Sequence, residues 1–232
     1  MEYFEREEEK YFLTKEKYDT VLNLLKEYIV PDHYSNENVC SLYFDSKNKD
    51  LAIKSLDKPN FREKIRLRSY SKVTGEDEVF LEMKKKLDGI TYKKRIVIKL
   101  KDFWNYYNNG IIPSYCDRLT MNEIDYYFKT YELIPTLFIY SNRKSYLDKN
   151  NNDIRITFDY NIKYKDIDKN MDANENLFNM DSLKRITDDD IYVMEIKSLS
   201  KMPLWLNNIL SENKLYPVDF SKFREAYIKA LE

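Results

Sequence analysis

The sequence predicts an α+β fold: an antiparallel sheet or barrel with helices packed on it. Three observations lead there. Segments of period-two alternation follow one another without the regular βαβ order of a doubly wound sheet. Several of them set large apolar residues on one face and cations on the other. Helical patterns stand at the start, middle and end of the chain, available to cover an apolar sheet face.

The elements justify themselves in order. Residues 14–29 read as a helix, with Thr14 as N-cap and an apolar stripe of Val21, Leu22, Leu25, Tyr28 and Ile29 before Pro31. Residues 39–45 (VCSLYFD), 61–71 and 78–85 read as strands, the last two joined by a turn around Gly75. A further strand, 90–100, follows a turn at Gly89, and 101–109 form a short helix closed by Gly110. Thr120 and Glu123 make a capping box for a helix reaching Thr130. Residues 135–147 and 153–163 form a hairpin around DKNNND, and 165–190, rich in Asp and Asn, read as a loop. A strand at 191–199 and helices near 203–213 and 219–231 complete the chain. No repeat or linker interrupts the pattern, so one domain over 1–232 is expected.

Composition narrows the chemistry. Of 232 residues, 43% are hydrophobic and 34% charged, as in a globular chain with a real core. A net charge of −1 argues against nucleic-acid binding through bulk charge. The single histidine, His33, excludes chemistry built on His ligands or a His base. Three glycines, Gly75, Gly89 and Gly110, are too few and scattered for a glycine-rich phosphate loop, so any phosphate must be held by side chains. Cys40 and Cys116 form no CxxC pair and read as buried thiols. No apolar run reaches the roughly 18 residues that span a bilayer. The charged start MEYFEREEEK is no signal peptide, so a cytoplasmic location is expected, unless a membrane partner tethers the chain. Two Asp-rich stretches, 148–159 and 166–177, loosely resemble calcium loops but lack Gly at the sixth position.

The cationic faces carry the functional signal. Lys64, Arg66 and Arg68 alternate with Ile65 and Leu67; Glu82 and Lys84 share a face with Phe80; Lys93 and Arg95 share another. Arg155, Thr157 and Asp159 oppose Ile154, Ile156 and Phe158, while Glu195 and Lys197 oppose Met194 and Ile196. Such faces either look at water or enclose an anion. Two unit charges 8 Å apart repel by roughly 2 kcal/mol at an effective dielectric near 20, so a cation-lined enclosure needs an anionic occupant, and Arg with Lys suits phosphoryl oxygens. The isolated Glu8, Glu82 and Glu195 either neutralise neighbouring cations or hold a divalent metal on phosphate.

In order, REEEKYFL, SLYFD, KIRLRSY, LEMKKK, YKKRIVI, YSNRKSY, IRITFD, MEIK and FSKF resemble the VTC domain, the polyphosphate polymerase family within the triphosphate tunnel metalloenzymes. The resemblance implies a closed antiparallel β-barrel, a tunnel with helices on the outside, that binds Mn²⁺ or Mg²⁺. It implies transfer of the ATP γ-phosphate to a growing inorganic polyphosphate chain, with release of ADP. Glu8 and Lys10 match the opening motif, Arg66 and Arg68 the KxRxR strand, Glu82 and Lys84 the ExK strand, and Lys93 and Arg95 the KxR strand. Arg143 and Arg155 match single arginines, Glu195 and Lys197 the EIK strand, and Ser221 and Lys222 the terminal SK. The matched cations and Ser221 are thereby assigned to phosphate, Glu195, Glu82 and Glu8 to the metal, and Lys10, Lys197 and Glu195 to catalysis. Asp219 departs from the pattern, standing where a basic or neutral residue is expected. The rivals are a triphosphate hydrolase of the same tunnel type and a non-catalytic polyphosphate sensor. The implied partners are ATP and inorganic polyphosphate or pyrophosphate, with no nucleic acid; a membrane partner is not identifiable from the sequence.

Overall fold

The computed structural model describes residues 7–33, 35–57, 60–88, 90–150, 153–167, 182–199 and 201–231. In chain order they form β1 (Glu7–Thr14), α1 (Lys15–Leu25), β2 (Ile29–Pro31), β3 (Glu37–Asp45), α2 (Asp50–Asp57), β4 (Phe61–Ser69), β5 (Glu78–Leu87) and β6 (Ile90–Lys99). Then follow α3 (Leu100–Asn109), α4 (Arg118–Thr130), β7 (Ile134–Asp148), β8 (Ile154–Asp166), β9 (Lys184–Arg185), β10 (Ile191–Ser198), α5 (Leu204–Glu212) and α6 (Lys222–Leu231). The α+β class expected from the strand succession is what the chain adopts.

Hydrogen bonding orders the main strands β1-β10-β8-β7-β3-β4-β5-β6, with β2 on β7 and β9 on β8. The pairings β1–β10, β10–β8, β2–β7, β3–β4, β4–β5 and β5–β6 are antiparallel. The path begins at β1 and ends at β6, so among the described residues the hydrogen-bonded order is open and not the closed ring expected. The chain divides into two compact units. The first comprises Met1–Asn38, Ser141–Ile162 and Arg185–Ser221; the second comprises Val39–Tyr140, Lys163–Lys184 and Lys222–Glu232.

In the first unit, Ile154, Ile156 and Phe158 of β8 and Tyr192, Met194 and Ile196 of β10 bury their side chains with Tyr18, Val21 and Leu25 of α1 and Leu206, Ile209 and Leu210 of α5. In the second, Ile65 and Leu67 of β4, Val79, Leu81 and Met83 of β5 and Ile96 and Ile98 of β6 form a core with Phe103 and Tyr106 of α3 and Met121, Ile124 and Phe128 of α4. The apolar parity of each strand therefore lies under helices, and burial of these faces is the dominant stabilising term. The cations occupy the opposite parity. Cys40 and Cys116 are buried free thiols.

Several boundaries differ from expectation for local reasons. Thr14 does cap α1, its Oγ1 accepting from Lys17 N at 3.3 Å, but the helix stops at Leu25 and Ile29 opens β2 against Asp148. The helix α4 starts two residues before Thr120, because Asp117 caps it and accepts from Thr120 N at 2.8 Å. Glu123 makes no capping box; it takes Lys85 at 2.5 Å and also Lys94. Gly110 closes α3 at φ 70°, a conformation open to glycine at no steric cost. The turn at Gly89 and most of the Asp-rich stretch 166–177 lie outside the described residues. Among the described residues no helix is long and apolar enough to cross a membrane.

The helix α2 has no periodic signature long enough to read, and its start is organised by the last residue of SLYFD. Asp45 is 1% exposed; its carboxylate accepts from Ser46 N and Ala52 N at 2.8 Å and from Leu51 N at 2.9 Å. Burial pushes its pKa up while the three amides pull it down, with burial prevailing. Replacing Asp45 with Ala strands three buried donors, and we expect a loss of about 2–3 kcal/mol, with Asp45→Asn losing less; urea denaturation midpoints at unchanged slope measure both.

Candidate functional site

Each unit carries a lattice of charged side chains on the face turned away from its core. In the second unit the register fixes the rows. Tyr43, Arg66, Glu82 and Arg95 stand opposite one another across β3, β4, β5 and β6. Lys64, Lys84 and Lys93 form the next row, and Ser41, Arg68 and Phe80 flank the first on its other side. Directly opposed residues share a face and lie close enough to interact.

Glu82 is the hub of this lattice. It is 1% exposed, and its two oxygens meet four cations. Arg66 reaches Oε2 through Nε at 2.8 Å and Nη2 at 2.7 Å, with Arg68 Nε at 3.9 Å. Lys93 Nζ and Arg95 Nε reach Oε1 at 2.6 and 2.7 Å. Burial works against this charge, but Arg66, Arg68 and Lys93 hold the carboxyl well below the usual carboxylate range. Glu82, assigned to the metal by the family resemblance, here has both oxygens met by cations of its own chain.

Around this hub, Arg66 Nη1 donates to the Tyr43 hydroxyl at 3.0 Å, and Arg68 Nε to Ser41 Oγ at 3.4 Å. Burial disfavours ionising the Tyr43 phenol, yet Arg66, Arg68 and Lys222 together hold its pKa below the ordinary value. Arg95 stacks its guanidinium over Phe80 at 4.4 Å, and Lys64 its ammonium over Phe223 at 5.0 Å. Lys93 is pushed down to about 8 by burial, with Arg95 and Arg66 adding and Glu82 opposing.

The first unit repeats the plan with more carboxylates. Its rows are Glu8, Lys197 and Arg155, then Lys10, Glu195 and Thr157, then Phe12, Val193 and Asp159, across β1, β10 and β8. Lys10 Nζ lies 2.9 Å from Glu8 Oε1 and 3.9 Å from Glu195 Oε2, and donates to the Phe220 carbonyl at 3.1 Å. Burial opposes its charge, but Glu195 and Glu8 hold its pKa above the usual lysine value. Lys197 Nζ holds Glu195 Oε1 at 2.6 Å. Arg143 grips the fully buried Asp159 with two bonds of 2.7 Å. Arg155 pairs with Asp32 at 2.7 Å and with Ser145 Oγ at 3.1 Å, and Ser145 Oγ in turn donates to Asp32 at 2.9 Å. Glu37, in the field of the same arginines, has its pKa raised by burial and by Asp32.

Glu8 and Glu195 share the Lys10 ammonium, and both offer hard oxygens of the kind Mg²⁺ or Mn²⁺ takes. Among the described residues no three acidic, His or Cys side chains converge on one point. Two carboxylates suit a divalent ion that takes its other ligands from phosphate and water, not one enclosed by protein.

The sequence-predicted residues thus fall into two sets. Arg66, Arg68, Glu82, Lys84, Lys93, Arg95 and Lys222 belong to the second unit; Glu8, Lys10, Arg143, Arg155, Glu195, Lys197 and Ser221 belong to the first. Sequence reasoning missed Tyr43, Asp32, Ser145 and Glu37. Tyr43 was readable from the parity of SLYFD, whereas Asp32 follows a three-residue strand with no pattern around it.

The Glu82 lattice has consequences for stability and for anion binding. Glu82→Gln leaves four cations around a neutral amide and should lower stability by about 3 kcal/mol, partly restored by inorganic tripolyphosphate in a melting experiment. Because the native pKa of Glu82 is depressed, its stabilisation is complete above the ordinary value near pH ~4.3 and is lost as pH falls below it; Glu82→Gln lacks that dependence. Lys93 has the opposite sense: its native pKa of about 8 lies below 10.5, so stability rises as pH climbs between these values. Over the same range its ammonium is lost as an anion contact. Tripolyphosphate affinity should fall above pH 8 in the wild type and hold to higher pH in Lys93→Arg, as read by calorimetric titration.

Comparison with protein families matches the VTC domain over residues 5–231. Among solved structures, a candidate adenylate cyclase from Bacillus halodurans aligns with a TM-score of 0.56 at 12% identity, covering 93% of this chain and 95% of that one. A candidate adenylate cyclase from Vibrio parahaemolyticus gives 0.46 at 11% identity, with 97% of each chain covered. A protein from Pyrococcus horikoshii OT3 gives 0.45 at 16%, again covering 97% of each. No curated protein matches the sequence. At 12% identity the Bacillus structure speaks for the fold alone. The family match spans nearly the whole chain and takes in both charged lattices, so the protein belongs to the VTC domain family.

Proposed function

We propose that this chain is a metal-dependent polyphosphate polymerase that transfers the γ-phosphate of ATP to a growing inorganic polyphosphate chain and releases ADP. The observation that supports the reading is the row of Arg66, Glu82 and Arg95 with Arg68 and Lys93 beside it: basic side chains of two strands set on one face around one carboxylate of the strand between them. That geometry presents several donors to several oxygens at once, which a phosphoryl chain supplies and a single carboxylate ligand does not. The tunnel enclosure expected of the family is part of this proposal.

Arg66, Arg68, Lys84, Lys93 and Arg95 would bind phosphoryl oxygens in the second unit, with Glu82 holding the guanidinium planes in place. In the first unit, Arg143 and Arg155 would do the same, braced by Asp159 and Asp32. Ser221 and Lys222 join these contacts on the strength of the family match. Lys10 and Lys197 would orient the attacking terminal phosphate and neutralise its charge. Mn²⁺ or Mg²⁺, held by Glu195 with Glu8, would supply charge neutralisation at the phosphoryl oxygens. Attack by a phosphate oxygen on the γ-phosphorus needs no side-chain nucleophile, so catalysis comes from positioning and fixed charge.

Incubation of the purified protein with ATP and Mn²⁺ tests this. ADP with long polyphosphate supports polymerisation; free phosphate indicates the hydrolase, a cyclic nucleotide indicates cyclase chemistry, and tight polyphosphate binding without turnover indicates a sensor. Glu195→Gln should lower metal-dependent turnover by about 10³-fold or more, while metal-free binding of tripolyphosphate holds or tightens, because a carboxylate beside Lys10 and Lys197 has gone.

A further inference from the structure

We propose that Thr157 is a substrate contact, its hydroxyl donating a hydrogen bond to a phosphoryl oxygen beside Glu195, Lys197 and Arg155. This rests on the phosphate-handling reading above and adds to it a residue that its charge-based logic passes over.

Thr157 sits in the middle of the first unit's lattice. It stands opposite Glu195 on β10, which stands opposite Lys10 on β1. Its neighbours of the same parity on β8 are Arg155 and Asp159, and Arg155 is itself opposite Lys197. These charged neighbours are partnered: Glu195 by Lys197 and Lys10, Asp159 by Arg143, and Arg155 by Asp32 and Ser145. Within this group the Thr157 hydroxyl is the one buried without a hydrogen-bond partner among the described residues, the residue being 4% exposed.

A buried, unmade hydrogen bond costs the fold free energy, and valine would fill the same volume without that cost. The apolar residues of β8 lie on the other face, so packing does not call for a hydroxyl here. A phosphoryl oxygen does: a neutral donor to an anionic oxygen makes a short, strong bond where little water competes. The side chains beside the hydroxyl are long and flexible. Those of Lys197 and Arg155 are 36% and 43% exposed, free to swing onto an arriving phosphate and open a way to Thr157.

Calorimetric titration of inorganic tripolyphosphate without metal, on the wild type, Thr157→Val and Thr157→Ser, tests the assignment. We expect Thr157→Val to bind about ten- to a hundredfold more weakly, Thr157→Ser to keep wild-type affinity, and ligand-free Thr157→Val to melt at or above the wild type. Equal binding by Thr157→Val and a binding-competent wild type overturns the role of Thr157 and leaves phosphate binding standing. A ligand-free Thr157→Val that melts well below the wild type also overturns it, since the hydroxyl then serves the fold. A wild type that does not bind tripolyphosphate overturns both.

Discussion

Collecting cations on one face of a sheet is the constraint on which the rest of this structure depends. Like charges at cross-strand distance repel, and Lys64, Lys84 and Lys93 are placed directly opposite one another. The second unit answers with one buried carboxylate, Glu82, set on the middle strand where cations of both neighbouring strands can reach it. The first unit answers with several, so that Lys10, Arg143, Arg155 and Lys197 each have an acidic partner. The lattices therefore differ in kind: in one a single carboxylate meets four cations, in the other carboxylates and cations pair almost one to one.

Such faces persist because the strands are stabilised from behind. Ile65, Leu67, Val79, Leu81 and Met83 bury against α3 and α4, and Ile154, Ile156 and Met194 against α1 and α5. A one-residue slip of register would put the arginines into these cores and the isoleucines onto the charged faces. Fold and site are thus specified by the same alternation, and a strand cannot lose one without losing the other.

That coupling explains what the sequence alone revealed. Period two shows which side of a strand each residue takes, so Arg66, Glu82, Arg95, Arg155 and Glu195 are all assigned by the sequence to the charged faces they occupy. It does not show which charges meet. The Arg155–Asp32 pair joins positions far apart in the chain, and Glu82 gathers its cations from two neighbouring strands. Short elements escaped for a simpler reason: α2, with eight residues, and β2, with three, offer too few periods to count. At α4 two adjacent capping signals competed, and Asp117 prevailed over Thr120.

The strap formed by residues 218–220 bears on how the protein is handled as a length of chain. Lys10 is tied to it at both ends of the residue: its carbonyl accepts from Val218 N at 2.8 Å, and its ammonium donates to the Phe220 carbonyl. Phe220 also packs edge-on against Phe12 two residues further along β1. Residues 218–220 thus act as a jig for the Lys10 side chain. Trimming before residue 218 would remove Lys222 and Phe223 from the second unit and, in the first, both ties that hold Lys10. In the first unit the damage would include a displaced Lys10 side chain and not only the missing segment.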